Sequence, residues 1–485
     1  MSDPVNTALR RNALGIGAIV FLALAAVAPL TGMVVVASLT IALGNGGGAP
    51  VAFLGMAAIL LLFAIGYGKM SAQLVNASGF YAFVVKGLGR PAGLAAGFIA
   101  LLGYNFFVVG TIGTSGFFMQ NIIADLTGVD MHWYLWGLAS IVVCFLMALR
   151  GVDFSSKILG VSLVLETLIL LIFDVAVLFK TGYAGSAFSF DVVTSGSLSI
   201  ALLLAASGFL GFEATALFSE EAKNPLTTVP RATYIAISLI AVILGVTTWA
   251  VVSATGVEAA QRESLAHLAA GDLVFSLSHE YLGAFLTDVM TVLLLVSLFA
   301  AMLAFHNSAS RYLFSLGRSG ILPSALARTN SSGSPAVAGT VQAVFGTVVA
   351  GAFVVAGLDP MTSLVPSMVG FGTLAILVLQ ALAALAIIVH FRRTNDPRWG
   401  STFVAPGIGF VGLCFVVVLA FTHFDIVAGS GAAAVQLLPP LLVAALVGGI
   451  GFALYLRNSR PDAYEGLSAD LERFEDAGAH GAPAA

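Results

Sequence analysis

Of 485 residues, 59% are hydrophobic and only 9% are charged, and the mean hydropathy is strongly positive. A soluble domain carries about 25% charged residues, so this composition excludes a soluble globular chain and describes a membrane protein of many spans. The net charge of −4 says little by itself, because charge in such a protein informs through its placement.

About 20 apolar residues cross a bilayer, and twelve candidate spans follow in order: 14–43, 51–74, 91–123, 133–148, 155–179, 198–218, 232–253, 284–316, 336–356, 363–391, 406–421 and 435–456. The first run begins after Arg10 and Arg11 and is too long for the apolar core of a signal peptide. Cys144 and Cys414 lie inside apolar runs and read as packing residues, not as a disulfide or metal pair. With the N-terminus in the cytoplasm, eighteen Lys and Arg residues fall on the inner side and only Lys180 and Arg262 outside. That asymmetry predicts cytoplasmic N- and C-termini in the inner (cytoplasmic) membrane.

The first span contains Ala28-Pro29-Leu30-Thr31-Gly32. Proline removes a backbone donor and clashes with the carbonyl four residues earlier, so a kink or break is expected there. Tyr104 and Asn105 in the third span are polar at depth and suit interhelical hydrogen bonding, with cavity lining as the alternative. Glu166 stands in the middle of the fifth span. The sixth span, SIALLLAASGFLGFEATALFSEE, places Ser207, Gly208 and Gly211 just before Glu213. A charge at mid-bilayer costs on the order of 2.5 to 3.5 kcal/mol on insertion scales, and glycine weakens a helix interior by about 1 kcal/mol. Together they suggest a helix broken at a binding site. The other reading is a continuous helix whose small residues admit a neighbour.

Interrupted first and sixth spans, five helices apart, point to an inverted repeat of five helices with the site where the breaks meet. In the eighth span His306 and Asn307 lie near the cytoplasmic third, where a lone histidine is more often structural than a proton carrier. The tail beyond Asn458 is polar and acidic. Disorder is its default, although Leu467, Leu471 and Phe474 fit one face of a short surface helix.

The run GFEATALFSEEAKNPLTTVPRA resembles the sixth transmembrane helix and following loop of the amino acid, polyamine and organocation (APC) superfamily of transporters. Three further stretches are similar to the family's pattern. In KMSAQLVNASGFYAFVVKGLGRPAGLAAGF, Ser78-Gly79-Phe80-Tyr81 precedes a short surface helix. Leu149-Arg150-Gly151-Val152-Asp153-Phe154 looks like the turn before the fifth helix, and FAAMLAFHNSASRYLFSLGRSGILPSALAR like the end of the eighth. The resemblance runs from 14 to 456 and is weakest from 406 onward.

It implies an all-α membrane protein of twelve transmembrane helices, a five-plus-five inverted repeat with helices 1 and 6 broken, plus two C-terminal helices. The corresponding parts are a cytoplasmic N-terminus (1–13), the two repeats (14–181 and 196–391), helices 11 and 12 (405–457) and an acidic cytoplasmic tail (458–485). Substrate would be bound by Ala28, Pro29, Leu30, Thr31 and Gly32 at one break and by Ser207, Gly208, Phe209, Leu210 and Gly211 at the other. N–H groups from Leu30 to Gly32 would take a carboxylate, and carbonyls from Ser207 to Leu210 an amine.

Relatives carry Gly-Ser-Gly at the first break where this chain has Pro-Leu-Thr-Gly, which keeps polyamines and other amines in play. The bulky Leu30 would narrow the pocket towards a small side chain. Aligned on the turn, Glu166 falls where several relatives place a lysine. A carboxylate there could ligate a cation or carry a proton, and with only Ser297 as an obvious further ligand from the eighth helix the proton is favoured. Glu213 is expected to support the cavity and gate more than to touch substrate.

No phosphate-binding loop, metalloprotease motif, Cys-rich metal spacing or nucleophile elbow is present in the sequence. Neither a metal nor a cofactor is expected, nor a nucleic-acid partner, and the sequence assigns no oligomeric state. The expected protein is a secondary transporter, not an enzyme, moving an amino acid or related small amine across the membrane with a proton as coupling ion. A polyamine or organocation importer and an amino acid exchanger are the alternatives, and a channel or substrate-sensing receptor the remote one.

Overall fold

The computed structural model describes residues 13–74, 79–268, 270–428 and 433–468. Among them there is no strand, only one isolated bridge between Leu14 and Ala222. Nine helical runs in the described residues are long and apolar enough to cross a membrane. The first, Ile16–Ser71, carries through two of the expected spans, and two others fall on the shorter apolar helices Trp133–Ala148 and Leu198–Ser207.

The longest helix, Arg90–Thr127, is packed against Val365–Arg393 through glycines. A Cβ on Gly103 would lie 2.9 Å from that of Ala375, and one on Gly372 would lie 3.0 Å from the carbonyl oxygen of Gly103. Small residues let membrane helices approach backbone to backbone, which matters because lipid supplies no hydrophobic drive for helix association. Apolar residues left outside this packing, such as Val161, Leu168, Val348, Val411 and Val447, are exposed on several helices and suit contact with acyl chains.

Both expected interruptions lie on this backbone, with altered extents. The first helix runs Ile16–Val27, and Ala28 then takes φ 48° and ψ 78°, a left-handed conformation. Helix resumes at once through Pro29–Thr31 and the wider π-helical turns Gly32–Ala37 and Thr40–Asn45. The break is therefore one residue wide, whereas the sequence predicted a stretch to Gly32. Pro29 explains this: it has no N–H to give to Ala25, and its fixed φ suits the first position of the resumed helix.

The sixth span is helical over Leu198–Ser207, turns through residues 208–213, and resumes as the short pieces Ala214–Leu217 and Ser219–Glu221. Ser207 ends a helix here instead of beginning the break, and Glu213 lies inside it.

At the end of the bundle that carries most of the Arg residues, called the basic end below, these two chains are tied together. Ala13 N and Leu14 N each donate to the Glu221 carbonyl at 2.9 Å, and Lys223 N donates to the Leu14 carbonyl at 2.8 Å. The expected surface helix is present as Phe80–Leu88, entered through Gly79 at φ 52°; Ser78 lies outside the described residues. Residues 461–468 form a docked helical turn with Leu467 buried, instead of the disorder expected by default. Leu471 and Phe474 fall outside the described residues.

Candidate substrate and coupling site

The two interruptions touch. Gly211 has φ 116°, and a Cβ built on it would fall 2.4 Å from the Cβ of Ala26, two residues before the first break. Leu244, on the helix Pro225–Thr255, packs on Gly32 and on Gly208, so one side chain backs both breaks. Of the ten expected substrate residues, Thr31 and Ser207 are half-buried and the other eight are buried.

The N–H groups expected to wait for a carboxylate are engaged within the protein. Leu30 N donates to Glu166 Oε2 (3.4 Å), Thr31 N to Ser297 Oγ (3.3 Å) and Gly32 N to the Ala28 carbonyl (2.8 Å). Ser297 Oγ donates in turn to Glu166 Oε2 (2.7 Å), Ser162 Oγ donates to Glu166 Oε1 (2.6 Å), and Thr31 Oγ1 donates to Ser297 Oγ (3.0 Å). Glu166 thus stands between the first, fifth and eighth expected spans, 1% exposed. Its carboxylate is held where the resumed first helix presents its N-terminal donors, an arrangement that favours negative charge.

The carbonyls expected to receive an amine are less engaged. No backbone or side-chain donor among the described residues reaches the carbonyls of Gly208, Phe209 and Leu210, whereas the Ser207 carbonyl takes the Leu210 N–H at 3.3 Å. The Ser207 hydroxyl turns away to the Leu204 carbonyl (2.7 Å).

Glu213 closes this region from the basic side. Its Oε1 accepts from Tyr104 Oη (2.8 Å) and its Oε2 from Gly211 N (2.9 Å). The Tyr104 ring is stacked on Tyr312, with centroids 5.0 Å apart. Tyr104, read from the sequence as a packing residue with cavity lining as the alternative, is thus a direct partner of the deep carboxylate. Asn105 turns to the Leu101 carbonyl of its own helix (2.7 Å).

Beyond Glu213, Arg311 pairs with Glu221 and Arg318 with Glu220, the first pair almost wholly buried. The Arg311 guanidinium also covers the Phe218 ring at 4.3 Å. These pairs fasten the chain after the sixth span to the end of the eighth.

His306 is bonded through Nδ1 to Gln342 Oε1 on the helix Ala336–Val355 and is not brought to either break. Sequence reading passed over Asp174, although its signal was available: a single acid in the run LIFDVAV. It is 7% exposed, and its Oδ2 accepts from Thr247 Oγ1 at 3.0 Å.

A many-spanned helical membrane protein with two interrupted helices meeting at its centre, one break offering carbonyls and the other closed by a carboxylate, is built as a carrier of small polar solutes. The chain belongs to the amino acid permease family, whose model matches residues 14–452, and so to the APC superfamily of transporters and not to a class of enzymes. Among curated proteins it is similar to the branched-chain amino acid permease BcaP of Lactococcus lactis subsp. cremoris, 27% identical over 408 residues that cover 76% of this chain and 82% of that one. The branched-chain amino acid permease BcaP of Bacillus subtilis is 25% identical over 421 residues, covering 81% and 82%.

Proposed function

We propose that this protein is a secondary active transporter that carries an apolar amino acid of the branched-chain class across the cytoplasmic membrane by alternating access, in symport with a proton. Twelve spans, an inverted repeat of five helices and cytoplasmic termini complete the reading, so that the basic end faces the cytoplasm. The substrate class rests on the relatives' names, which are those of branched-chain amino acid permeases.

The observation that carries the coupling is the bond from Leu30 N to Glu166. An incoming carboxylate and the Glu166 carboxylate compete for the same helix N-terminus, and two anions are not accommodated there together. A proton on Glu166 removes its charge, releases the Leu30 donor to the substrate carboxylate, and leaves the carbonyls of Gly208 to Leu210 to the ammonium. Substrate and proton then favour each other's binding, which is the linkage a symporter needs. Glu213 and the Arg311–Glu221 pair close the cytoplasmic side and part when it opens.

The test is uptake of leucine, isoleucine, valine and spermidine into proteoliposomes under an imposed proton or sodium gradient, for the parent and for Glu166→Gln. Leucine accumulation driven by the proton gradient alone, with binding but no accumulation in the Gln variant, is expected. Sodium-driven accumulation that ignores pH, or a Gln variant still driven by protons, refutes the coupling.

A further inference from the structure

Asp174 lies on the same helix as Glu166, Val152–Lys180, eight residues nearer the end opposite the basic one. At 1.5 Å per residue that is about 12 Å. Its carboxylate is buried, and among the described residues only Thr247 donates to it. Oδ1 is buried and has no hydrogen-bond partner among the described residues.

No cation among the described residues balances it. Lys180, two turns further out, gives its ammonium to the carbonyls of Glu280 and Tyr281 at 3.2 and 2.8 Å. The Tyr183 hydroxyl donates to the main-chain carbonyl of Asp174 at 3.1 Å and not to its carboxylate. Of the elements packed on this helix, the first one, 16–31, has no titratable side chain. His279, Glu280, Tyr281 and Asp288 belong to the helices at the outer end, and none of them bonds to or pairs with Asp174. Tyr134 donates to the Thr347 carbonyl, Cys144 to that of Phe299, and Arg231, Tyr234 and Arg311 stand towards the basic end.

A buried carboxylate with one hydroxyl partner and no counter-charge is costly as an anion. It becomes cheap as an anion only when water reaches it. Beside it stand Thr247, its donor, Thr248 against Met33 just beyond the first break, and Tyr183, whose hydroxyl holds the Asp174 carbonyl and whose ring packs on Trp249 with centroids 4.7 Å apart. They belong to the first and seventh expected spans and to the loop after the fifth, so that a movement parting these elements would admit water to Asp174.

We propose that Asp174 is the outer proton-accepting residue of the transport cycle: it takes a proton from the external solution while its surroundings are hydrated and passes it through water to Glu166. One proton leaves the outer solution, resides on the Asp174 carboxylate, then on that of Glu166, and is released on the cytoplasmic side, so that Asp174 regains its charge before the next cycle. This rests on the proton-coupled reading above, whereas Glu166 alone would need the proton to reach mid-membrane without a station.

The experiment compares parent, Asp174→Asn and Asp174→Glu in proteoliposomes. It follows leucine accumulation against external pH, with leucine counterflow at equal pH as a measure of the carrier without net proton movement. Asp174→Asn should keep counterflow within about twofold and lose proton-driven accumulation by at least about tenfold, with a flat external-pH profile, and Asp174→Glu should restore both. A parental profile and accumulation in Asp174→Asn, in vesicles where the parent is proton-driven, overturn the inference and leave the role of Glu166 standing. A parent indifferent to the pH gradient removes both. Should Asp174→Asn not fold, Thr247→Val keeps the carboxyl and deletes its one donor; it should displace the external-pH midpoint at unchanged leucine affinity, and an unmoved midpoint likewise overturns the assignment.

Discussion

Gly211→Ala tests whether the two interruptions are held in register by contact. At φ 116° an L-residue is strained by about 1 to 3 kcal/mol. The added methyl would stand 2.4 Å from the Ala26 Cβ and 3.3 Å from the Ala23 carbonyl oxygen, more than about 1 Å inside ordinary carbon contact. Overpacking of that kind costs about 1 to 3 kcal/mol, so the variant should lose about 2 to 6 kcal/mol in all. Two companions separate the causes. Gly182→Ala, at φ 76° with nothing within 4 Å of the new methyl, should show about 1 to 2 kcal/mol of conformational cost alone. Ala26→Gly in the Gly211→Ala background removes the obstructing methyl and should recover the packing part, less about 1 kcal/mol for a glycine near a helix end. Thermal unfolding of purified protein gives the order, and leucine binding by the same melt shows whether the site survives. A Gly211→Ala protein no less stable than Gly182→Ala, or one that Ala26→Gly fails to improve, would refute the reasoning.

Glu221→Ala should destabilise by about 3 to 5 kcal/mol, because it strands the Arg311 guanidinium at 3% side-chain exposure. The double variant Glu221→Gln with Arg311→Met should recover most of that in the same melt. Tyr104→Phe, which takes one donor from Glu213, should cost about 1.5 to 3 kcal/mol. The loss should shrink when Glu213→Gln is already present, as a double-mutant cycle would record. Leu467→Ala removes a buried side chain from the docked tail, whose Leu467 carbonyl accepts from Tyr81 Oη and whose Ser468 takes the Arg90 guanidinium. A local loss of about 2 to 5 kcal/mol should appear as faster proteolysis of the tail with an unchanged unfolding temperature.

What was legible in the sequence was the polar residue at depth, and what was not was its partner. Pro29 marked the first break, yet a residue-by-residue reading puts left-handed backbone on glycine, and here it falls on Ala28. Nothing local announces that, since the strain is held by packing around the break. Glu166 and Ser297 were each visible as single polar residues in apolar runs, and the resemblance set them around one spot, where they are indeed bonded. What it did not give was that Leu30 N and Thr31 N are taken up by this pair, which depends on how the resumed first helix is rotated about its axis. Leu467 was readable as part of an apolar helix face, but its docking needed Tyr81 and Arg90, nearly 400 residues away in sequence.

The two deep carboxylates differ in what holds them, and the difference bears on how the breaks can move. Glu166 takes donors from its own helix through Ser162, from the eighth span through Ser297 and from the first through Leu30. A displacement of the first helix away from both the fifth and the eighth parts Leu30 from Glu166 and Thr31 from Ser297 together. Glu213 takes one donor from the third span and one from its own broken segment, so that motion of the sixth span past the third is what disturbs it. A charged acceptor that loses its donors inside a low-dielectric bundle costs more than the hydrogen bonds themselves are worth. Each break is thereby bonded to its own carboxylate, and in the proposed mechanism the Leu30 donor at the first is the one a ligand carboxylate would take over.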